Sequence, residues 1–141
     1  MIAFSAAPAP AAEATARIYV YAQELTEARS WIAIQCDGVA VARIKRGKFF
    51  AVNVTPGRHT LASETGVPVV VDVHAGEDSF ARLDWHFEIG RAPVAVLHLV
   101  QPEAAHQELK FLSYIDKSKI MAPSVSKSDP RDWLEPRLKT R

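Results

Sequence analysis

Three reversal signals punctuate the stretch CDGVAVARIKRGKFFAVNVTPGRHTLASE, Cys36 to Glu64: Asp37-Gly38, Lys45 to Gly47, and Pro56-Gly57. Between them stand runs too short for helices, in which apolar and polar residues alternate. Such a chain must fold as short strands. Asp37-Gly38 suits a two-residue type I′ turn, whose central residues both need positive φ. A regular hairpin about that turn sets Cys36 opposite Val39, Ile34 opposite Val41 and Ile32 opposite Arg43. At Pro56-Gly57, proline presets φ and glycine is free to take a positive one.

The same alternation runs on both sides of this stretch. Arg17 to Ala22 carries Ile18 and Val20 on one face and Tyr19 and Tyr21 on the other, and KFFAVNV aligns Phe50, Val52 and Val54. In VPVVVDVH, Val69, Val71 and Val73 oppose Val70, Asp72 and His74. In SFARLDWHFEI, residues Ala81, Leu83, Trp85, Phe87 and Ile89 oppose Arg82, Asp84, His86 and Glu88. If these last two strands pair, their apolar faces match only across an odd loop, about three or five residues long, and the longer loop sets Asp72 opposite Arg82. Pro93 to Val100 supplies a further strand. Ala105, Leu109, Leu112 and Ile115 then fall near helical spacing, with Pro102 in the first turn; the polar QELTEARS before Trp31 reads as a connection or one helical turn. The expected fold is all-β: an antiparallel two-sheet, immunoglobulin-like sandwich built as a meander of about seven or more strands, with one short C-terminal helix. Its expected extent is residues 17–119, after a leader at 1–16 and before a flexible tail at 120–141.

At 141 residues and 48% hydrophobic, the chain suits one domain with a real core. Seventeen Lys and Arg against sixteen Asp and Glu give no overall field for nucleic acid or an anionic membrane. No stretch approaches the roughly 18 apolar residues of a membrane span. The one cysteine, Cys36, has no disulfide partner within the chain and faces the expected core. The start, MIAFSAAPAPAAEATAR, has Ala-x-Ala steps resembling the end of a signal peptide but no basic n-region, so it reads either as the remnant of a signal or as a disordered leader. The first alternative predicts a periplasmic or extracellular protein.

The ordered series Asp37-Gly38, Gly47 to Phe50 (GKFF) and Pro56 to Leu61 (PGRHTL) is similar to an exported bacterial β-sandwich family of unknown function, often lipoproteins, whose pattern is close to the PEGA-type surface domains. The likeness spans about Ala16 to Leu112. It implies a small exported sandwich and transfers no catalytic residue; the lipobox cysteine of the lipoprotein members is absent here.

Several residue groups bear on chemistry. Asp72, His74, Asp84 and His86, with His98 on a neighbouring strand, offer donors that bind zinc when they converge at about 2.0–2.2 Å, but flat adjacent strands spread them, and no metal or cofactor is assigned. His59 is expected to be partly buried and hydrogen-bonded. Ser63, Ser79 and Ser113 lack a nucleophile-elbow context, so no enzyme is expected. The basic run Arg43 to Lys48 reads as a guarded hairpin tip. Trp133 and Leu134, on an otherwise polar tail, either dock onto a partner or pack back on the domain. The expected function is a non-enzymatic protein-interaction or scaffold module of the bacterial cell envelope, an accessory to a larger complex. The alternative is a sandwich that binds carbohydrate or another ligand.

Overall fold

Both faces of the first strand are apolar, and the architecture follows from that. The computed structural model describes residues 15–23 and 31–133; the leader to residue 14, the connection at 24–30, and residues 134–141, Leu134 among them, lie outside the described residues. Strand β1 (Ala16–Tyr21) buries Ile18 and Val20 on one side and Tyr19 and Tyr21 on the other. β4 (Lys48–Val54) does the same with Phe50 and Val52 against Phe49 and Ala51. Each fully buried side chain of this size contributes roughly 1.5–3 kcal/mol, so strands with two such faces are stable only as a middle layer.

The other strands are β2 (Ile32–Cys36), β3 (Val39–Ile44), β5 (Gly57–Ser63), β6 (Val69–Val73), β7 (Asp78–His86), β8 (Val94–Leu99) and β9 (Ser113–Tyr114), with helix α1 (Pro102–Leu109) between the last two. One sheet runs β8-β7-β1-β4-β9 and the other β3-β2-β5-β6. The inner faces enclose a core that includes Ile18, Val20, Ile34, Phe50, Leu61, Val71 and Leu83. A second apolar layer lies on the outer face of the five-stranded sheet, where Tyr19, Tyr21, Phe49, Ala51 and Phe80 meet Ala105, Leu109 and Leu112. Tyr19 stacks on Phe80 at 5.3 Å between ring centroids.

The all-β two-sheet sandwich with one short helix is as the alternation implies, and its connectivity is not a simple meander. Among the described residues only β2–β3, β5–β6 and β7–β8 form sequential hairpins; the turns after β3 and β4 carry the chain from one sheet to the other. Two pairings, β1 with β7 and β4 with β9, are parallel. β6 and β7 lie in different sheets, joined by residues 74–77, so the parity rule for a paired hairpin does not govern that loop. Asp72 therefore faces Arg58 on β5, with Nε to Oδ1 at 3.2 Å, and not Arg82.

Asp37 and Gly38 take φ of 53° and 83°, as the type I′ turn requires, and Cys36 pairs with Val39. Beyond that the register departs from the regular hairpin: a bulge sets Ile34 opposite Ala42 and Ile32 opposite Ile44. Regular alternation would carry Arg43 into the core across from Ile32. The extra residue turns Arg43 outward, while Val41, Ala42 and Ile44 are all buried. Strand β7 ends at His86, so Phe87 and Ile89 are exposed rather than core residues.

The helix is shorter than the spacing implied. It closes at Leu109; Leu112 and Ile115 are buried, but from extended chain flanking β9. Residues 120–133 are packed along the sandwich, so the domain runs past Lys119; the rest of the expected tail, 134–141, lies outside the described residues. Ile120 bridges Ala42, Met121 N–H donates to the Val41 carbonyl at 2.8 Å, and Val125 bridges Val52. Ser126 N–H donates to Ala51 and Asn53 N–H to Ser124, which extends pairing along β4 beyond the short β9. This segment thus straps β3 of one sheet to β4 of the other.

Arg131 anchors the strap although its polar setting in the sequence reads as solvent-exposed. It is 2% exposed, grips Asp129 through Nε and Nη2, and lies over the Phe49 ring at 4.4 Å. Its Nη1 donates to the Leu109 carbonyl at 2.5 Å, adding a charge-assisted bond at the end of α1 to the one this carbonyl accepts from the Leu112 N–H. Removing one member of such a buried pair strands the other charge. Arg131→Ala should therefore lower unfolding free energy by about 3–5 kcal/mol, measurable by urea denaturation; a mobile tail would make the change neutral.

Candidate functional site

The carboxylates and histidines that alternation places on polar strand faces do not converge. Asp72 and His74 belong to β6 and its end, Asp84 and His86 to β7 of the opposite sheet. His98 does lie beside Asp84, with Nε2 3.8 Å from Oδ2, yet the centre of that group is Arg82. Its Nε donates to both Asp84 oxygens at 3.0–3.2 Å and its Nη1 to both Glu108 oxygens at 3.0–3.1 Å. A guanidinium fills the position a cation would need. Tyr21 donates its hydroxyl to Glu108 at 2.5 Å, and burial first, then this bond, pushes its pKa well up. The network locks α1 onto β1 and β7 and is a structural clasp. His86 pairs with Glu88 in the open, at 3.2 Å.

Trp133 packs on its own domain. Its ring stacks on His106 with centroids 4.2 Å apart and meets Tyr19 edge-on at 6.3 Å. Trp31 lies half-buried between two ammonium groups, Lys45 at 4.9 Å and Lys119 at 4.6 Å from its ring centroid. Lys45, part of the basic run, thus meets an aromatic face, while Arg43 stays exposed.

A different cluster forms where the Asp37-Gly38 turn meets β5. The Asp37 backbone N–H donates to the Thr60 carbonyl at 2.7 Å, and Asp37 Oδ1 accepts the Thr60 N–H at 2.9 Å, which pins the turn to the neighbouring strand. Asp37 Oδ2 lies 2.6 Å from His59 Nδ1 and 3.9 Å from Cys36 Sγ, while His59 Nε2 lies 2.6 Å from the Thr55 carbonyl. His59 is hydrogen-bonded and partly buried, as expected from its sequence setting. Among the described residues these three side chains are the group whose sulfur, oxygen and nitrogen donors all lie within 4.8 Å of one another. Sequence separation hides the cluster, since His59 is 22 residues from Asp37 and reaches it only because β5 pairs with β2.

The electrostatics of the cluster are specific. Both partners of the His59 ring are acceptors, so both bonds form together only when each ring nitrogen carries a proton. Burial lowers the His59 pKa, but the bonds to Asp37 and Thr55 outweigh it and raise the net value above the ordinary 6.5. Asp37 moves the other way: burial would raise its pKa, and His59 with the Thr60 N–H brings it below 3.8. Burial, then the Asp37 charge, push the Cys36 thiol up to about 11, so the arrangement does not activate the thiol as a nucleophile.

A folded-state pKa above the unfolded one means that the charged His59 stabilises fully below about pH 6.5, and that this contribution disappears as pH rises through the folded value. The Asp37 contribution is present above the unfolded pKa and is lost as pH falls through the folded one. Melting temperature, measured in EDTA buffer between about pH 5 and 9, should fall across the histidine range. His59→Gln should flatten that slope; an unchanged slope would place its origin elsewhere.

The two flanks of the sandwich differ. On one, the strap covers β3 and β4. On the other, β8 and β6 are edge strands, and Val67, Val70 and Leu99 are 75%, 50% and 49% exposed. Between these edges a hollow of about 190 Å³ opens, lined by Val71, Leu99, Val100 and Pro102 among others. Ala95 on β8 is held from that side: its carbonyl accepts the Ser63 hydroxyl at 2.5 Å and its N–H donates to Thr65 Oγ1 at 3.3 Å. Gly66 passes so close that an added Cβ would sit 2.2 Å from the Ala95 carbonyl oxygen. Beyond Ala95, Leu97 and Leu99 point their backbone groups away from β7 by the alternation of the ladder.

No family model, curated protein or solved structure matches this chain.

Proposed function

We propose that this chain is a non-enzymatic protein-interaction or scaffold module of the bacterial cell envelope that docks its partner along the β6–β8 flank. The observation that carries this reading is the asymmetry of the flanks. A chain that closes one pair of sheet edges with its own strap leaves the other pair open, with apolar side chains and unprotected strand edge exposed; β8, VAVLHL, contains no lysine or proline guard. An extended segment of a partner protein adds to such an edge through backbone hydrogen bonds and sets side chains into the hollow beside it. Export is supported by the Ala-x-Ala leader and by the turn series similar to PEGA-type domains.

The carbohydrate reading has less support because the three tryptophans, the best sugar platforms, are each engaged within the fold, which leaves Phe87 and Phe111 as the exposed large aromatics among the described residues. Trp133 stacks on His106, Trp31 lies between two lysines, and Trp85 packs partly against the core. The test is crosslinked capture of the native protein from its envelope fraction, compared with Val70→Lys and Leu99→Lys. Both positions are half exposed, so the variants should keep wild-type melting temperature within a few degrees and lose the flank partner, with affinity falling about tenfold or more for each buried charge. An unchanged partner list in both variants would overturn the flank assignment.

A further inference from the structure

The Cys36–Asp37–His59 cluster has the features of a metal site as well as those of a hydrogen-bonded turn. We propose that Cys36 Sγ, Asp37 Oδ2 and His59 Nδ1 form a three-ligand site for a zinc-class divalent cation, with the fourth position open toward solvent on the Asp37 side.

Geometry is the first argument. Tetrahedral zinc with bonds of about 2.0–2.3 Å sets its ligand atoms about 3.3–3.6 Å apart. Here Nδ1 and Oδ2 are 2.6 Å apart and Oδ2 and Sγ 3.9 Å, so the first pair opens and the second closes by well under 1 Å each. The third pair, Sγ and Nδ1, lies within 4.8 Å. The second argument is support. A ligating histidine normally donates its other ring N–H to a carbonyl or carboxylate, which fixes its tautomer. His59 Nε2 already faces the Thr55 carbonyl, leaving Nδ1 for the metal, and Asp37 Oδ1 keeps the Thr60 N–H while Oδ2 is free to bind. Both oxygen and nitrogen ligands are therefore held in place by groups outside the site.

Charge is the third argument. With both His59 ring nitrogens bonded to acceptors, the metal-free cluster pairs a carboxylate with an imidazolium beside a thiol. Binding M²⁺ expels one proton from Sγ and one from Nδ1 to solvent, leaving thiolate, carboxylate and neutral imidazole around the cation. The site is neutral before and after, so the exchange places no net charge against the core that Cys36 adjoins. The donor set of thiolate, imidazole and carboxylate favours zinc over calcium or magnesium, which take oxygen ligands. Asp37 is half exposed, so the open position reaches water or a donor from another molecule.

The single thiol makes the test specific. Purified full chain, reduced and stripped with chelator, is titrated with Co²⁺ and followed for a sulfur-to-cobalt charge-transfer band, which Cys36 alone can produce, then displaced with Zn²⁺. A saturable band at one equivalent, lost in Cys36→Ser, with Zn²⁺ binding weakened more than about tenfold in His59→Gln and Asp37→Asn, is the expected result. Asn-Gly keeps the type I′ turn, so Asp37→Asn reports on the ligand with the fold intact, checked by melting temperature. Absence of the band at saturating Co²⁺ would overturn the site. So would a band indifferent to His59→Gln and Asp37→Asn, which would mean cobalt on a lone thiol.

Discussion

The five-stranded sheet has to be covered twice. Tyr19, Tyr21, Phe49, Ala51 and Phe80 on one side, and Ile18, Val20, Phe50 and Val52 on the other, leave it no face for water. The four-stranded sheet covers the inner side. Among the described residues, the chain after β8 covers the outer side or the flank: α1 by laying Ala105 and Leu109 on the tyrosines, β9 and the strap by pairing with β4, Arg131 by tying strap and helix end together. The molecule is a three-layer structure whose third layer is mostly irregular chain.

This sets the demand on polar groups in the outer layer, most of which are engaged, Trp133 Nε1 and Arg17 Nε being buried without a hydrogen bond. Irregular chain packed on a sheet brings backbone and side-chain polar groups into contact with apolar surface, and each must find a partner. Asn53 donates to the Ser124 carbonyl and Ser126, Tyr114 to the Ser126 carbonyl, and Tyr21 and Arg82 to Glu108. Such networks specify one arrangement of the strap more than they add stability.

The strands themselves were legible because period-2 alternation and turn residues act locally. Asp37-Gly38 shows how far that reaches: the turn type and the first pair are as the sequence implies, and the register changes at the bulge because Arg43 would otherwise be buried. What escaped is nonlocal. Assigning Tyr19 and Tyr21 to an opposite face did not reveal that a helix covers that face. One of the two partners of β7 is β1, in a parallel pairing that no local pattern announces. Composition made residues 120–133 look like a tail, since Ser, Pro and Lys are as frequent in a packed strap that follows a sheet edge as in disordered chain, and the apolar residues that stood out in it were Trp133 and Leu134 at its far end. The cluster at Asp37 was invisible for the same reason: Cys36 and His59 each have an ordinary local explanation, and the β2–β5 pairing alone brings them together.

The strap also bears on the order in which the chain can fold. β1, made first, pairs with β4 and β7, and β4 receives its last backbone partners from Ser124 and Ser126, near the end of the described chain. Contacts of such long sequence separation must close large loops before they are rewarded, which slows the search for the native state. While the chain is being synthesised, β9 covers only the Lys48-Phe49 end of the β4 edge, and the stretch from Ala51 to Asn53 stays open to pairing with a neighbour until residues 124–126 emerge. Closing the sandwich thus falls to the least regular segment of the described chain, after its strands have all been made.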